Sequence, residues 1–176
     1  MRMNLTHGIW MALGMGCTFP IKNDLVDTSD PQGAYGTIDT QVVPNCSYDN
    51  LLTRIAVRDY DGIDLQKMTE GTMAYLWAEV ANVCDVTIDY TTENNCLVEQ
   101  WSISGGGFDE LNYAFLCSGD SEQRQLGSGQ LIRRLVGPLT ELPPGTFNLT
   151  VRFGINQASG ARFEETMSVQ VTSRND

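Results

Sequence analysis

Residues 147–155 alternate without a break. Phe147, Leu149, Val151, Phe153 and Ile155 are apolar, and Asn148, Thr150, Arg152 and Gly154 separate them. A period of two gathers five apolar side chains on one face of an extended strand and turns the others away from it. A helix would scatter the same residues around its circumference. Asn156 to Gly160 then supplies turn residues, and Met167, Val169 and Val171 alternate with Ser168, Gln170 and Thr172. The chain therefore ends in a β-hairpin with one buried face.

The pattern recurs upstream. Cys84, Val86, Ile88 and Tyr90 alternate with polar neighbours, as do Leu111, Tyr113, Phe115 and Cys117. Leu97, Trp101 and Ile103 share a face, and Gly105-Gly106-Gly107 ends that strand. The stretch 64–83 reads two ways. Met73, Leu76, Val80 and Val83 have helical spacing, while 72–80 also fits a strand, which the β surroundings favour. The 17 glycines among 176 residues suit a loop-rich β protein. Many short strands separated by turns predict an all-β fold, an antiparallel two-sheet sandwich.

The N-terminus reads differently. Arg2 stands near the start, a short apolar run covers Ile9 to Met15, and Gly16 and Cys17 follow. The run is too short for the ~20 residues that span a bilayer. A charged start, a short apolar stretch and small residues before a cut mark a removed export signal. Gly16-Cys17 resembles the cleavage box of bacterial lipoproteins, with Leu13 one place early and Gly14 and Met15 between. That resemblance implies a signal peptide over 1–16, lipid on Cys17 and attachment to the membrane through it. Thr18 in place of aspartate implies the outer membrane or cell surface. Residues 17–35 hold two prolines and little apolar periodicity, which suits a tether. The domain is then expected over 36–176.

Cysteine parity agrees with this reading. Of five cysteines, lipidation of Cys17 leaves Cys46, Cys84, Cys96 and Cys117, enough for two disulfides in an oxidising compartment. Cys46–Cys84 with Cys96–Cys117 is favoured, because Cys96 and Cys117 lie on segments that read as neighbouring strands. The nested pairing, Cys46–Cys117 with Cys84–Cys96, stays open. Zinc is disfavoured, since there is no Cys-x-x-Cys pair and no histidine nearby.

The run Leu142-Pro-Pro-Gly-Thr-Phe-Asn-Leu-Thr-Val is similar to the start of the penultimate strand in bacterial immunoglobulin-like and PKD-like domains, with Phe147 where those usually carry tyrosine. Val98-Glu-Gln-Trp-Ser-Ile-Ser-Gly-Gly resembles their tryptophan-bearing third strand. The resemblance spans about 72–173. It implies an Ig-like sandwich and brings no catalytic residues with it.

Charge and composition narrow the function. The formal net charge is −11, from 22 carboxylates against 11 Lys and Arg, with no basic stripe for nucleic acid. The only histidine is His7, inside the expected signal, so the mature chain has no Ser-His-Asp or Cys-His apparatus. Neither a phosphate loop nor a dinucleotide fingerprint occurs. Catalytic residues are therefore none on this reading, and a carboxylate-dependent hydrolase is a distant alternative. No cofactor is expected, with calcium as the one candidate. Asp59, Asp61 and Asp64 could offer it hard oxygen ligands around Gly62, although a solvated acidic turn explains the cluster as well. Tyr60, Trp77, Tyr90 and Trp101 are candidates for a ligand platform, with core packing the competing role. Asn45-Cys-Ser and Asn148-Leu-Thr match the glycosylation sequon.

The expectation is a non-catalytic envelope lipoprotein with a β domain that contacts a protein or glycan. The alternative is an assembly subunit, a homo-oligomer in which residues 36–43, with Ile38 and Val42 on one face, add a strand to a neighbour's sheet.

Overall fold

The computed structural model describes residues 51–92, 96–117, 119–156 and 162–174. The expected signal at 1–16, Cys17, the tether, the strand 36–43 and Cys46 lie outside them. The described residues contain no helix, and so none long and apolar enough to cross a membrane.

Ten strands follow one another: β1 (Leu51–Arg58), β2 (Lys67–Thr69), β3 (Ala74–Asn82), β4 (Ile88–Thr92), β5 (Val98–Gly105), β6 (Phe108–Ala114), β7 (Glu122–Leu126), β8 (Leu131–Leu139), β9 (Gly145–Asn156) and β10 (Arg162–Thr172). They form two sheets. The smaller is antiparallel with order β1-β3-β8. The larger runs β2-β10-β9, and β9 carries both β5 and β4 on its other edge. β6 continues from β5, and β7 continues from β4. The short β2 pairs in parallel with β10; the other pairs are antiparallel.

The alternation seen in the sequence becomes burial. Phe147, Leu149, Val151, Phe153 and Ile155 of β9 are fully buried. Leu76, Ala78 and Val80 of β3 meet them from the smaller sheet, in one continuous core with Val57, Ile103, Leu139 and Val169. At about 25 cal/mol per Å² of apolar surface removed from water, such side chains supply most of the drive to fold. Trp101 spans the interior: its ring stacks on Tyr113 at 4.3 Å and lies against Gly137 of β8. Thr53 Oγ1 of β1 donates to Glu165 Oε1 of β10 at 2.5 Å, tying one sheet to the other.

Several expectations are sharpened. The ambiguous stretch is strand, not helix, with β3 running Ala74–Asn82. Met73, placed on the helical face, is exposed. The pattern Cys84 to Tyr90 is not one strand: β4 starts at Ile88, and Val86 is half exposed in the bend before it. Leu111 and Tyr113 take one face of β6, but that face is only partly covered. Leu97 and Val98 are both buried because a bulge between Val98 and Gln100 shifts the register against β9.

Cys96 is bonded to Cys117, with Cα atoms 5.7 Å apart, which rules out the nested pairing. This is the one complete disulfide among the described residues, where two were expected. Cys84 is also disulfide-bonded, to a partner outside them.

Candidate functional site

The outer face of the larger sheet is polar by the same arithmetic that makes its inner face apolar. Register turns single-strand alternation into rows across four strands. One row is Ala114, Gln100, Arg152 and Glu164; the next is Asn112, Ser102, Thr150 and Thr166; a third holds Ser104, Asn148 and Ser168. Directly opposed and diagonal side chains on such a face interact, and several do here. Gln100 Nε2 donates to Asn112 Oδ1 at 2.9 Å, Ser168 Oγ to Asn148 Oδ1 at 2.6 Å, and the Thr150 and Thr166 hydroxyls share a bond of 2.9 Å. Arg152 Nε stands 3.5 Å from Glu164 Oε2, both half exposed.

The first two rows enclose a depression of about 300 Å³, with Ser102 and Thr150 between the Gln100–Asn112 pair and the Arg152–Glu164 pair, and Glu110 at its edge. Ser102 is 8% exposed. Its hydroxyl makes no hydrogen bond to any group of the described residues. The site has both hydrogen-bond donors and acceptors, one guanidinium and two carboxylates.

A second polar assembly occupies the outer face of the smaller sheet. Arg54, Glu79 and Arg133 stand opposite one another on β1, β3 and β8. Glu79 is fully buried, 2.6 Å from Arg58, 3.1 Å from Arg133 and 3.5 Å from Arg54. Asp64 bridges Arg54 at 2.5 Å and Arg58 at 2.7 Å. A buried charge persists only when paired, and these pairs hold the loop after β1 against the sheet. Neither Glu79 nor this role of Asp64 was singled out in the sequence. A lone Glu among Tyr75, Trp77 and Ala81 was the available signal.

The three aspartates expected around a cation take separate roles. Asp64 faces the two arginines. Asp59 Oδ1 accepts from the Ile63 amide at 2.8 Å and so closes its own turn, while Asp61 is exposed. Among the described residues, no group of three His, Cys, Asp or Glu side chains is placed to hold a metal ion. The four aromatics do not converge either: Tyr60 is exposed, Trp77 half-buried, and Tyr90 and Trp101 lie in the core. Asn148 of the second sequon is exposed on β9, and Asn45 lies outside the described residues.

No protein-family model matches the sequence, and no curated protein does. Among solved structures, the chain is similar to the CARDB domain of a Pyrococcus furiosus protein, in complex with di-metal ions. That match covers 73% of this chain and 100% of that one, at 10% identity and a TM-score of 0.40. A Listeria innocua β-glucosidase in complex with glucose matches 69% of this chain and 16% of its own, at 12% identity and a TM-score of 0.33. A family 123 glycoside hydrolase from Clostridium perfringens matches 69% of this chain and 28% of its own, at 8% identity and a TM-score of 0.29. The chain thus corresponds to a small part of either hydrolase.

Proposed function

We propose that this chain is a non-catalytic envelope lipoprotein whose Ig-like β domain binds a protein or glycan partner. The observation that carries the binding role is the depression on the larger sheet. Its polar side chains come from four strands onto one sheet face, and the Ser102 hydroxyl that opens into it bonds to no described group. The Cys96–Cys117 disulfide supports an oxidising address. In this reading Cys84 pairs with Cys46, five positions before the Leu51 that stands opposite Asn82. Cys17 is then left for lipid and holds the protein at the outer membrane or cell surface. Mass spectrometry of protein extracted from its native membrane tests the address. Diacylglycerol on Cys17 together with a Cys46–Cys84 peptide is expected; an intact Met1, or a Cys17–Cys84 peptide, would overturn it.

One observation favours assembly as a second reading. From Asp109 to Ala114, β6 is exposed on both faces, and only β5 pairs with it among the described residues. Leu111, Tyr113 and the adjoining Leu116 are exposed there. An edge of this kind accepts an added strand, and residues 36–43 of a neighbouring copy would supply one. Sizing across a range of concentrations separates the two readings, since a strict monomer has no such exchange.

A further inference from the structure

We infer that the depression on the larger sheet binds a neutral, polyhydroxylated ligand: a sugar, or one end of a longer glycan. This rests on reading the domain as an interaction module and names the ligand class of that same site.

Ser102 supplies the first reason. Its side chain is largely covered while its oxygen opens into the depression, so a ligand hydroxyl can replace the water that meets it there. Ser102 is 8% exposed, lines the depression and bonds to no described group, so its donor and its acceptor lone pairs are both available. A ligand hydroxyl, itself donor and acceptor, is the natural complement.

The surrounding groups supply the second. The Gln100–Asn112 amide pair is already oriented by its own 2.9 Å bond. Amides and carboxylates present two polar atoms at a fixed spacing, as adjacent sugar hydroxyls do. Glu110 and Glu164 accept, and Arg152 donates.

Charge and shape exclude the other classes. Two carboxylates against one guanidinium, on a chain of net charge −11, disfavour phosphate, sulfate or an acidic sugar. Protein partners gain most from buried aromatic anchors. The exposed Leu111 and Tyr113 of β6, however, point to the opposite face from Asn112 and Glu110. A volume of about 300 Å³ lies at the small end of ligand pockets, roughly 300–1,000 Å³.

The test is amide-resolved NMR titration of the full-length, disulfide-bonded protein. The probes are disaccharides of glucose, galactose, mannose and N-acetylglucosamine, with glucuronate as the anionic control. At least one neutral disaccharide is expected to shift Ser102, Asn112 and Thr150 saturably. Ser102→Ala should weaken that binding about tenfold, the loss of one good hydrogen bond. Ser168→Ala, on the same face but outside the depression, should leave it unchanged. Thr150→Val provides a second variant if Ser102→Ala melts early. The inference is overturned if none of the disaccharides shifts these amides, if glucuronate binds tighter, or if both depression variants bind as the wild type does. The same samples are assayed for new reducing ends. Their release would remove the non-catalytic reading while supporting the site. Absence of any sugar shift would remove the site and leave the lipoprotein reading to the mass spectrum.

Discussion

Asn82 makes three hydrogen bonds from one fully buried side chain. Its Nδ2 donates to the carbonyls of Val86 and Leu126, each at 2.8 Å, and its Oδ1 accepts from the Cys84 amide. Those bonds close the corner after β3 and dock the end of β7 onto it. Asn82→Ala would strand buried backbone groups, each at about 1–3 kcal/mol. The expected outcome in a denaturant melt is a loss of about 3 kcal/mol with the fold retained. Glu79 is the harsher case. Glu79→Ala leaves Arg58 and Arg133 facing each other without their carboxylate, and breaking a buried pair costs about 3–5 kcal/mol. Asp64→Asn, at a site one-third exposed, should cost about 1 kcal/mol or less, because solvent screens the pair. Comparing the two midpoints checks the difference. Neither role was visible in the residues alone: a glutamate between Ala78 and Val80 reads as a surface residue until two neighbouring strands place arginines opposite it.

The hairpin β5–β6 shows how an element depends on its turn. Gly105 and Gly106 have φ of 101° and 59°, in the left-handed region that side chains avoid. A Cβ on Gly106 would run into the Phe147 ring, and one on Gly105 into the Thr146 carbonyl. Gly106→Ala is therefore expected to destabilise by about 2 kcal/mol or more, through strain and displacement of Phe147. Loss of the β6 amide dispersion in an NMR spectrum would show the hairpin opening before the core melts. The turn itself was legible, because three successive glycines end any strand. Its pressure on Phe147 was not, since that ring lies 41 positions beyond Gly106 in sequence. Strands β9 and β10 were the most legible elements, because each carries its own uninterrupted alternation. In contrast, β3 was ambiguous. Its outer face carries Trp77 and Ala81 as well as Glu79, so apolar residues occur on both sides and the period of two is blurred.

At the scale of the whole molecule, the Cys96–Cys117 bridge links the start of β5 to the end of β6 across a separation of 21 residues. Closing a loop of that size restricts the unfolded chain by about 3 kcal/mol. The double variant Cys96→Ala with Cys117→Ala should melt at lower temperature by that equivalent and keep the two-sheet core, as calorimetry with near-ultraviolet dichroism would show. Sequence by itself determined the period-two strands, the all-β class and the hairpin at the end, because each depends on neighbours within one segment. The charge balance and the absence of histidine after His7 were equally local facts. Tertiary structure decided that Cys96 pairs with Cys117, that Glu79 is buried among arginines and that Asp64 joins them. It also decided that Ser102, Asn112, Thr150 and Arg152 enclose one depression. The physical reason is register. Alternation decides which face of its own strand a side chain occupies, whereas the side chains it meets on the adjoining strands follow from hydrogen-bonded pairings between segments far apart in the chain.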